Sequence, residues 1–247
     1  MWRIGSLFSG IGGLELGLEW SGLGHTVWQV ERDPYCRAIL AKHWPSAERF
    51  DDVCTVGAST LAPVELICGG FPCQDVSGAG KGAGLAGERS GLWREFARIV
   101  GEVQPRWVVV ENVLSGASRW LDAVVRDLEE LGYAPLPLPL AAEDVGAPHL
   151  RRRLFVVARI DGACGEVADS YGHRELQSQG RVEAQRRRPS DGGWWTSEPD
   201  VGRVAHGVPA RSHRLRALGN AVVPQCAEVV GWVIREIEET IPAPELR

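Results

Sequence analysis

Short apolar segments alternate with amphipathic segments along residues 1–160, and this alternation restricts the fold more than any other feature of the sequence. Leu92, Phe96, Ile99 and Val103, for example, recur at intervals of three or four residues, the spacing of one helix face. Alternating strands and helices predict an α/β fold with a doubly wound, mostly parallel sheet. The predicted strands cover 3–8, 25–30, 64–68, 107–110 and 154–158, and the predicted helices cover 14–20, 35–44, 92–103, 120–131 and 222–238.

The alternation stops after residue 160. Residues 161–203 are polar, rich in glycine and arginine and weakly periodic, so they predict a small irregular module rather than another strand–helix unit. Helical periodicity returns within 204–247. The chain therefore divides into a main domain over 1–160, the short module, and a C-terminal segment that returns to the main domain.

The distribution of charge favours a nucleic-acid partner, although the total does not. The net charge of the 247-residue chain is −5. Residues 149–216, however, contain thirteen arginines, no lysine and eight acidic residues, which leaves this segment at +5. Arginine offers planar, bidentate donors that suit phosphates and guanine edges. We interpret the segment as a phosphate-contacting surface, with an ordinary solvated surface as the alternative.

Composition also bears on location and cofactors. The sequence shows no apolar run long enough to cross a bilayer, and because it opens directly into a predicted strand, no signal peptide is expected. The six cysteines are scattered and none forms a CxxC pair, which argues against a zinc knuckle or a disulfide framework. We therefore expect a cytoplasmic protein with no metal centre and no membrane partner.

A cysteine follows the apolar strand 64–68 in the segment Gly69-Gly70-Phe71-Pro72-Cys73-Gln74. Glycine allows the backbone to approach a ligand closely, and proline stiffens the turn. A thiol placed there is interpreted as a nucleophile, with a buried small hydrophobic residue as the alternative. The glycine-rich loop 74–91 adjoins Cys73 and is predicted to close over a substrate, the alternative being a passive linker.

Charged residues lie at the ends of two further strands. Glu111 ends the strand that begins at residue 107, so it is expected to converge with Cys73 at the carboxyl edge of a parallel sheet. A carboxyl group there can hydrogen-bond the Watson–Crick edge of a base, although a helix N-terminus or the surface would suit it too. Strand alternation sends Arg151 and Arg153 to one face, where they can hold a base carbonyl, a phosphate or a thiolate, and Arg152 to the other.

A glycine turn follows the first predicted strand. Gly10, Gly12 and Gly13 precede a helix, so backbone N–H groups can face a ligand. Glu31 follows Gly10 by 21 residues and ends the second strand, which suits a carboxylate that accepts ribose hydroxyls. The spacing is not GxGxxG, which weakens the case for a dinucleotide and favours a sulfonium nucleoside. A tight strand–helix turn without a ligand is the alternative.

Together these residues closely resemble the DNA cytosine-5 methyltransferase family, in a compact bacterial or phage-type form. The five motifs that carry the resemblance stand in family order and are Leu7-Phe8-Ser9-Gly10-Ile11-Gly12-Gly13, Gly70-Phe71-Pro72-Cys73-Gln74, Glu111-Asn112-Val113, Arg151-Arg152-Arg153-Leu154 and Leu218-Gly219-Asn220-Ala221-Val222-Val223-Pro224.

The resemblance implies a Rossmann-like methyltransferase sheet, S-adenosylmethionine as cofactor and double-stranded DNA as substrate. The Cys73 thiolate would add to C6 of a flipped-out cytosine, Glu111 would hold N3 and the exocyclic amine, and C5 would take the methyl group. Arg151 and Arg153 would contact the base and support the pocket. The matching cofactor-contacting positions are Phe8, Gly10, Ile11, Gly13, Glu31, Asp52, Val53, Pro72, Leu92, Asn220 and Ala221, with Phe8 on the adenine and Asp52 on its amine, and the matching substrate-loop positions are Gln74 and Ser77.

The sequence also departs from the family pattern. Arg32 replaces a frequent aromatic residue, His149 replaces a usual glutamine, and the region 161–203, which reads the target in the family, is short. A few contacts, a short target site or a partner would then supply specificity. We expect a monomer, with a cognate restriction endonuclease as a candidate partner.

Three other functions compete with DNA methylation. The same chemistry on tRNA fits the short variable region, since one branch of the family acts on tRNA. A non-catalytic DNA-binding homologue would not need Cys73, Glu111 or the arginine pair. A nicotinamide-dependent oxidoreductase would fit Glu31 but not the glycine spacing.

Overall fold

A computed structural model of the protein describes residues 1–72, 91–160 and 211–240. The strands are β1 (Trp2–Leu7), β2 (Gly24–Val30), β3 (Glu48–Phe50), β4 (Leu66–Gly69), β5 (Trp107–Val113), β6 (Ala134–Ala141) and β7 (Arg152–Arg159). The α-helices are α1 (Gly13–Trp20), α2 (Pro34–His43), α3 (Gly91–Val103), α4 (Ala117–Glu130), α5 (Arg211–Asn220) and α6 (Pro224–Thr240), and short 3₁₀ turns cover Val53–Thr55, Leu114–Gly116 and Ala142–Val145.

These strands form one sheet in the order β3-β2-β1-β4-β5-β7-β6. Strands β1 to β5 run parallel, and β7 runs antiparallel to both β5 and β6. The predicted α/β fold with a mostly parallel sheet is confirmed. Because β1, β2, β4 and β5 are parallel, their carboxyl ends meet at one edge of the sheet, where open α/β sheets bind ligands.

Strand β6 was not predicted, because prolines occupy positions 135, 137 and 139. It is an edge strand that pairs only with β7, so alternate N–H groups are not needed for the sheet. Leu136, Leu138 and Leu140 alternate with the prolines and are buried in the core. The two-residue period of burial therefore outweighs the usual preference of proline for turns. The short β3 and the exposed α5 were also missed.

Both faces of the sheet are covered. Helices α1 and α6 pack on one face, with Leu14, Leu18 and Val230 in their core. Helices α3 and α4 cover the other face around the buried indoles of Trp93 and Trp120. Because helices cover both faces, a ligand site is expected at the sheet edge, where β1, β2, β4 and β5 have their carboxyl ends.

Residues 212–240 include the one stretch, among those the structure describes, that is long and apolar enough by length and composition to cross a membrane. Half of that window is buried inside the protein, as in the core helix of a soluble domain. It is therefore weak evidence for a membrane span.

Helix α1 approaches α6 closely at Gly17. A Cβ added at Gly17 would overlap the carbonyl oxygen of Pro224 and lie 2.5 Å from the Cβ of Ala227. We therefore expect Gly17→Ala to lower the free energy of unfolding by about 1–3 kcal/mol, although alanine raises helix propensity. Urea denaturation measures the change. Gly219→Ala is the matched control, since a Cβ at Gly219 in α5 meets no atom within 4 Å, and an equal loss there would contradict the packing explanation.

Candidate active site

A cavity of about 460 Å³ opens at the carboxyl edge of the sheet. Its walls come from the turn after β1, the ends of β2, β4 and β5, and the junction between α5 and α6. The predicted cofactor positions all border this cavity, namely Phe8, Gly10, Ile11, Gly13, Glu31, Asp52, Val53, Pro72, Leu92, Asn220 and Ala221. Glu111 and Arg153 border the same cavity, so the fold brings together residues that lie up to 213 positions apart in the chain.

The turn after β1 is tied to the end of β2. Gly10 has φ 56° and Gly12 has φ 86°, both in the left-handed region that glycine adopts at little cost. Glu31 accepts hydrogen bonds from the backbone N–H groups of Gly10 and Asp33, each at 2.7 Å. Burial raises the pKa of Glu31 above its usual value, and these two hydrogen bonds oppose the rise. Each carboxylate oxygen keeps a further lone pair for a ligand.

The cavity is also bordered by Phe8 and Asp52. Phe8 has φ 56°, unusual for a residue with a side chain, and its ring stacks on Phe96 with centroids 6.5 Å apart. Asp52 caps the following 3₁₀ turn, because its Oδ1 accepts the N–H of Cys54 at 2.9 Å. One aromatic face and one exposed carboxylate thus border the cavity here.

Glu111 lies at the end of β5 with its side chain almost fully buried. It pairs with Phe155 of β7, and Val113 pairs with Arg153, so Arg153 is the diagonal neighbour of Glu111 on the same face. Arg153 Nε lies 2.8 Å from Glu111 Oε1 as an ion pair, although this oxygen has no hydrogen bond of good geometry. Burial raises the pKa of Glu111, and the charges of Arg153 and Arg151 only partly offset it. The carboxyl group therefore keeps its proton to a higher pH than an ordinary glutamate.

Glu111 has this position because Gly70 has no side chain. A Cβ at Gly70 would lie 2.7 Å from Glu111 Oε2, so the carboxyl group packs directly on the backbone of the segment that leads to Cys73. Gly70, three residues before the predicted nucleophile Cys73, thus sets the distance between the ends of β4 and β5.

We expect Gly70→Ala to reduce the methyl transfer implied by the sequence resemblance by about 10²-fold, because displacement of a reacting group by about 1 Å costs that much. A single-turnover assay with a tritiated methyl donor measures the loss, and thermal unfolding checks the fold. Gly101→Ala is the control, since Gly101 does not border the cavity and a Cβ there would meet only the end of the Leu131 side chain, at 3.1 Å. An unchanged rate in Gly70→Ala would show that the carboxyl position is not critical.

Asn112 was named only as part of a motif, and the structure assigns it a specific contact. Its Nδ2 donates to the carbonyl oxygen of Phe71 at 3.1 Å, and its Oδ1 accepts the N–H of Val113 at 2.8 Å. The side chain therefore ties the end of β5 to the segment entering Cys73. Its position beside Glu111 was the only signal in the sequence.

The two arginines predicted to contact the base occupy different places. Arg153 pairs with Glu111, whereas Arg151 donates to the carbonyl oxygens of Gly219 at 2.8 Å and Ala221 at 2.5 Å. Arg151 thus holds the α5–α6 junction, which carries two of the predicted cofactor positions, against the start of β7. Arg152 points to solvent and lies 3.6 Å from Glu143.

Some predicted site residues lie outside the described ranges. These are Cys73, Gln74 and Ser77, together with the whole module 161–203. Within the described ranges, no group of three or more His, Cys, Asp or Glu side chains is arranged to hold a metal ion.

Comparison with known proteins identifies the family. The model of the C-5 cytosine-specific DNA methylase family matches residues 2–175, more than two thirds of the chain. The chain belongs to this family. The Type II methyltransferase M2.BsuMI of Bacillus subtilis is 33% identical over 219 residues, which cover 84% of this chain and 55% of that protein. M.NgoBI of Neisseria gonorrhoeae is 33% identical over 165 residues, covering 65% and 51%.

Solved structures agree with the fold. A chain encoded within an E. coli prophage, described as a DNA modification methyltransferase, superposes with a TM-score of 0.54 at 28% identity and covers 64% of this chain and 47% of that chain. The chain thus spans about half the length of the curated relatives it matches.

Proposed function

We propose that this protein transfers a methyl group from S-adenosylmethionine to C5 of a cytosine flipped out of double-stranded DNA. The observation that carries the proposal is one cavity with two kinds of lining. Residues suited to a nucleoside border one part, and the buried Glu111–Arg153 pair borders the other, next to the segment leading to Cys73. Membership of the C-5 cytosine-specific DNA methylase family supports the same chemistry.

The residues that border the cavity fit S-adenosylmethionine. The Glu31 carboxylate can accept both ribose hydroxyls, Phe8 offers an aromatic face to the adenine, and Asp52 can accept the adenine amine. A Cβ at Gly10 would meet no protein atom within 4 Å, so the turn leaves open space for a ligand. When bound, this cofactor supplies an electrophilic methyl group.

Cys73 would activate the cytosine. Its thiolate adds to C6, which removes the aromatic stabilisation that makes C5 a poor nucleophile. Glu111 donates its proton to N3 and accepts a hydrogen bond from the exocyclic amine, so that negative charge does not build up on the ring. After C5 has taken the methyl group, the C5 proton is lost to solvent, the N3 proton returns to Glu111, and the Cys73 thiolate leaves C6, which restores the ring.

The other motif residues position these groups. Arg153 holds the carboxyl group of Glu111, and Asn112 holds the backbone before Cys73. Arg151 fastens the α5–α6 junction with Asn220 and Ala221 at the rim of the cavity. Gln74 and Ser77 belong to the segment proposed to close over the flipped base.

Recognition of the target is proposed to rest on residues 161–203 and on the arginines of 149–216. In the described part of that segment, Arg152, Arg214 and Arg216 are exposed, and phosphates would compete with Glu143 for Arg152 and with Asp33 for Arg216. A monomer that works alone or beside a cognate restriction endonuclease fits this division of the chain.

The proposed function is tested by methyl transfer to defined nucleic acids. The purified protein is incubated with tritiated S-adenosylmethionine and either duplex DNA or total tRNA, and the methylated DNA is then sequenced after bisulfite treatment. We expect label in duplex DNA, at one short sequence. Label in tRNA alone would show that the same chemistry acts on RNA. DNA binding without label would indicate a non-catalytic homologue.

A further inference from the structure

The inner wall of the cavity contains a carboxyl group that the proposed mechanism does not use. Glu15 lies in the first turn of α1 and is 0% exposed, and it borders the cavity beside Ser6 and Ser9. Neither of its carboxylate oxygens has a hydrogen-bond partner of good geometry. The Ser9 hydroxyl donates instead to Ser6 Oγ, at 2.9 Å.

No positive charge in the described residues forms an ion pair with Glu15. The ionisable neighbours are Glu19, one turn further along α1, and the buried thiol of Cys68 on β4. Glu19 already has hydrogen-bond partners, because its Oε1 accepts from the backbone N–H and the hydroxyl of Thr26 and from the indole N–H of Trp44. Helix α6, which packs on α1, contributes another acid, Glu228, to the buried residues. The cations nearby are directed elsewhere: Arg235 of α6 donates to the Ser21 carbonyl oxygen beyond the last turn of α1. Arg32, Arg153 and Arg216 border the same cavity, where Arg153 pairs with Glu111 and Arg216 with Asp33.

A fully buried carboxyl group of this kind is costly to ionise. Burial raises the pKa of Glu15 to about 7; the nearby Ser6 and Ser9 hydroxyls oppose this rise, and the charge of Glu19 adds the smallest contribution to it. A cation bound in the cavity would favour the ionised form and lower this pKa. The site thus responds to the charge of whatever occupies the cavity.

We propose that Glu15 makes the cavity prefer the positively charged methyl donor over its neutral product. This inference rests on the proposed function, since S-adenosylmethionine carries a sulfonium and S-adenosylhomocysteine, which remains after transfer, carries a thioether. The two ligands are otherwise alike in shape. Ionised Glu15 attracts the first through its extra charge, and this attraction ends when the methyl group leaves. Product release is thereby favoured.

The preference depends on pH with a definite sign. Because burial raises the pKa of Glu15 to about 7, the carboxyl group holds its proton to a higher pH than an ordinary glutamate in the free protein. Binding of the sulfonium ligand displaces that proton, so its affinity rises with pH, by up to about tenfold between pH 6 and pH 8. The affinity for the neutral product does not gain this increase.

The test is isothermal titration calorimetry of the full chain with both ligands at pH 6, 7 and 8, in buffers of different ionisation enthalpy. For the wild type we expect a net release of protons near pH 7 with S-adenosylmethionine. We expect close to none with S-adenosylhomocysteine. In Glu15→Gln, which keeps the side-chain shape, the rise of the affinity ratio with pH is expected to disappear. Titration of the ligand's own amine is common to both proteins and cancels in the comparison.

Phe8→Leu is the matched control, because it alters the proposed adenine contact without changing the charge around the cavity and is expected to weaken both ligands equally. Circular dichroism checks that each variant is folded. Equal pH dependence in the wild type and in Glu15→Gln, or a parallel loss of both ligands in Glu15→Gln, would overturn the inference. If the wild type binds neither ligand, the proposed function itself fails, and the inference falls with it.

Discussion

Replacement of Cys73 by alanine is expected to abolish methyl transfer, with a loss of at least about 10⁴-fold, the scale seen when a covalent nucleophile is removed. The reason lies in the substrate, because C5 of cytosine is not nucleophilic until a group has added to C6. No other group named at this site can replace the thiolate. Single-turnover transfer from tritiated S-adenosylmethionine to duplex DNA measures the loss.

Covalent trapping tests the same prediction independently of turnover. Duplex DNA with 5-fluorocytosine at the target position cannot lose its C5 substituent as a proton, so the adduct should persist on a denaturing gel. We expect a cofactor-dependent complex with the wild type and with Cys54→Ala, the control at an exposed thiol, but not with Cys73→Ala. A complex that survives in Cys73→Ala would place the nucleophile elsewhere.

The Glu111→Gln variant is expected to lose about 10²- to 10⁴-fold in methyl transfer, the contribution of a positioned general acid. Glutamine has nearly the same shape but cannot deliver a proton to N3. The pKa of Glu111 is raised, so its protonated form persists to a higher pH, and the wild-type rate should fall as pH rises through this pKa. That decline should be absent from the residual activity of Glu111→Gln.

The pH–rate profile in single turnover separates this role from a structural one. Loss of the ion pair with Arg153 alone would lower the rate at every pH without changing the shape of the profile. Glu130→Gln is the control at an exposed glutamate on α4, where little change is expected. A Glu111→Gln variant with wild-type rate and profile would exclude proton donation by this carboxyl group.

The carboxyl edge of the sheet could be predicted from the sequence because the rules involved are local. Alternating apolar segments identify parallel strands, and the ends of parallel strands meet at one edge. Gly10, Glu31 and Glu111 each follow or end such a strand, so their approach to one cavity needed no knowledge of side-chain contacts. The antiparallel pairing of β7 and the proline-containing β6 were missed, since both depend on which edge of the sheet remains free.

The amino-acid sequence alone determined the alternating α/β chain, the order of the chemical motifs and the residues that meet at the strand ends, because these depend on short-range periodicity. Only the tertiary structure decided how those residues are held. Arg151 reaches Gly219 and Ala221 across about 70 positions, and Gly70 admits the carboxyl group of Glu111. Glu15 would have been read as a solvated acid near a helix N-terminus. Its burial comes from packing between α1 and the sheet, because desolvation depends on long-range neighbours that the local pattern does not contain.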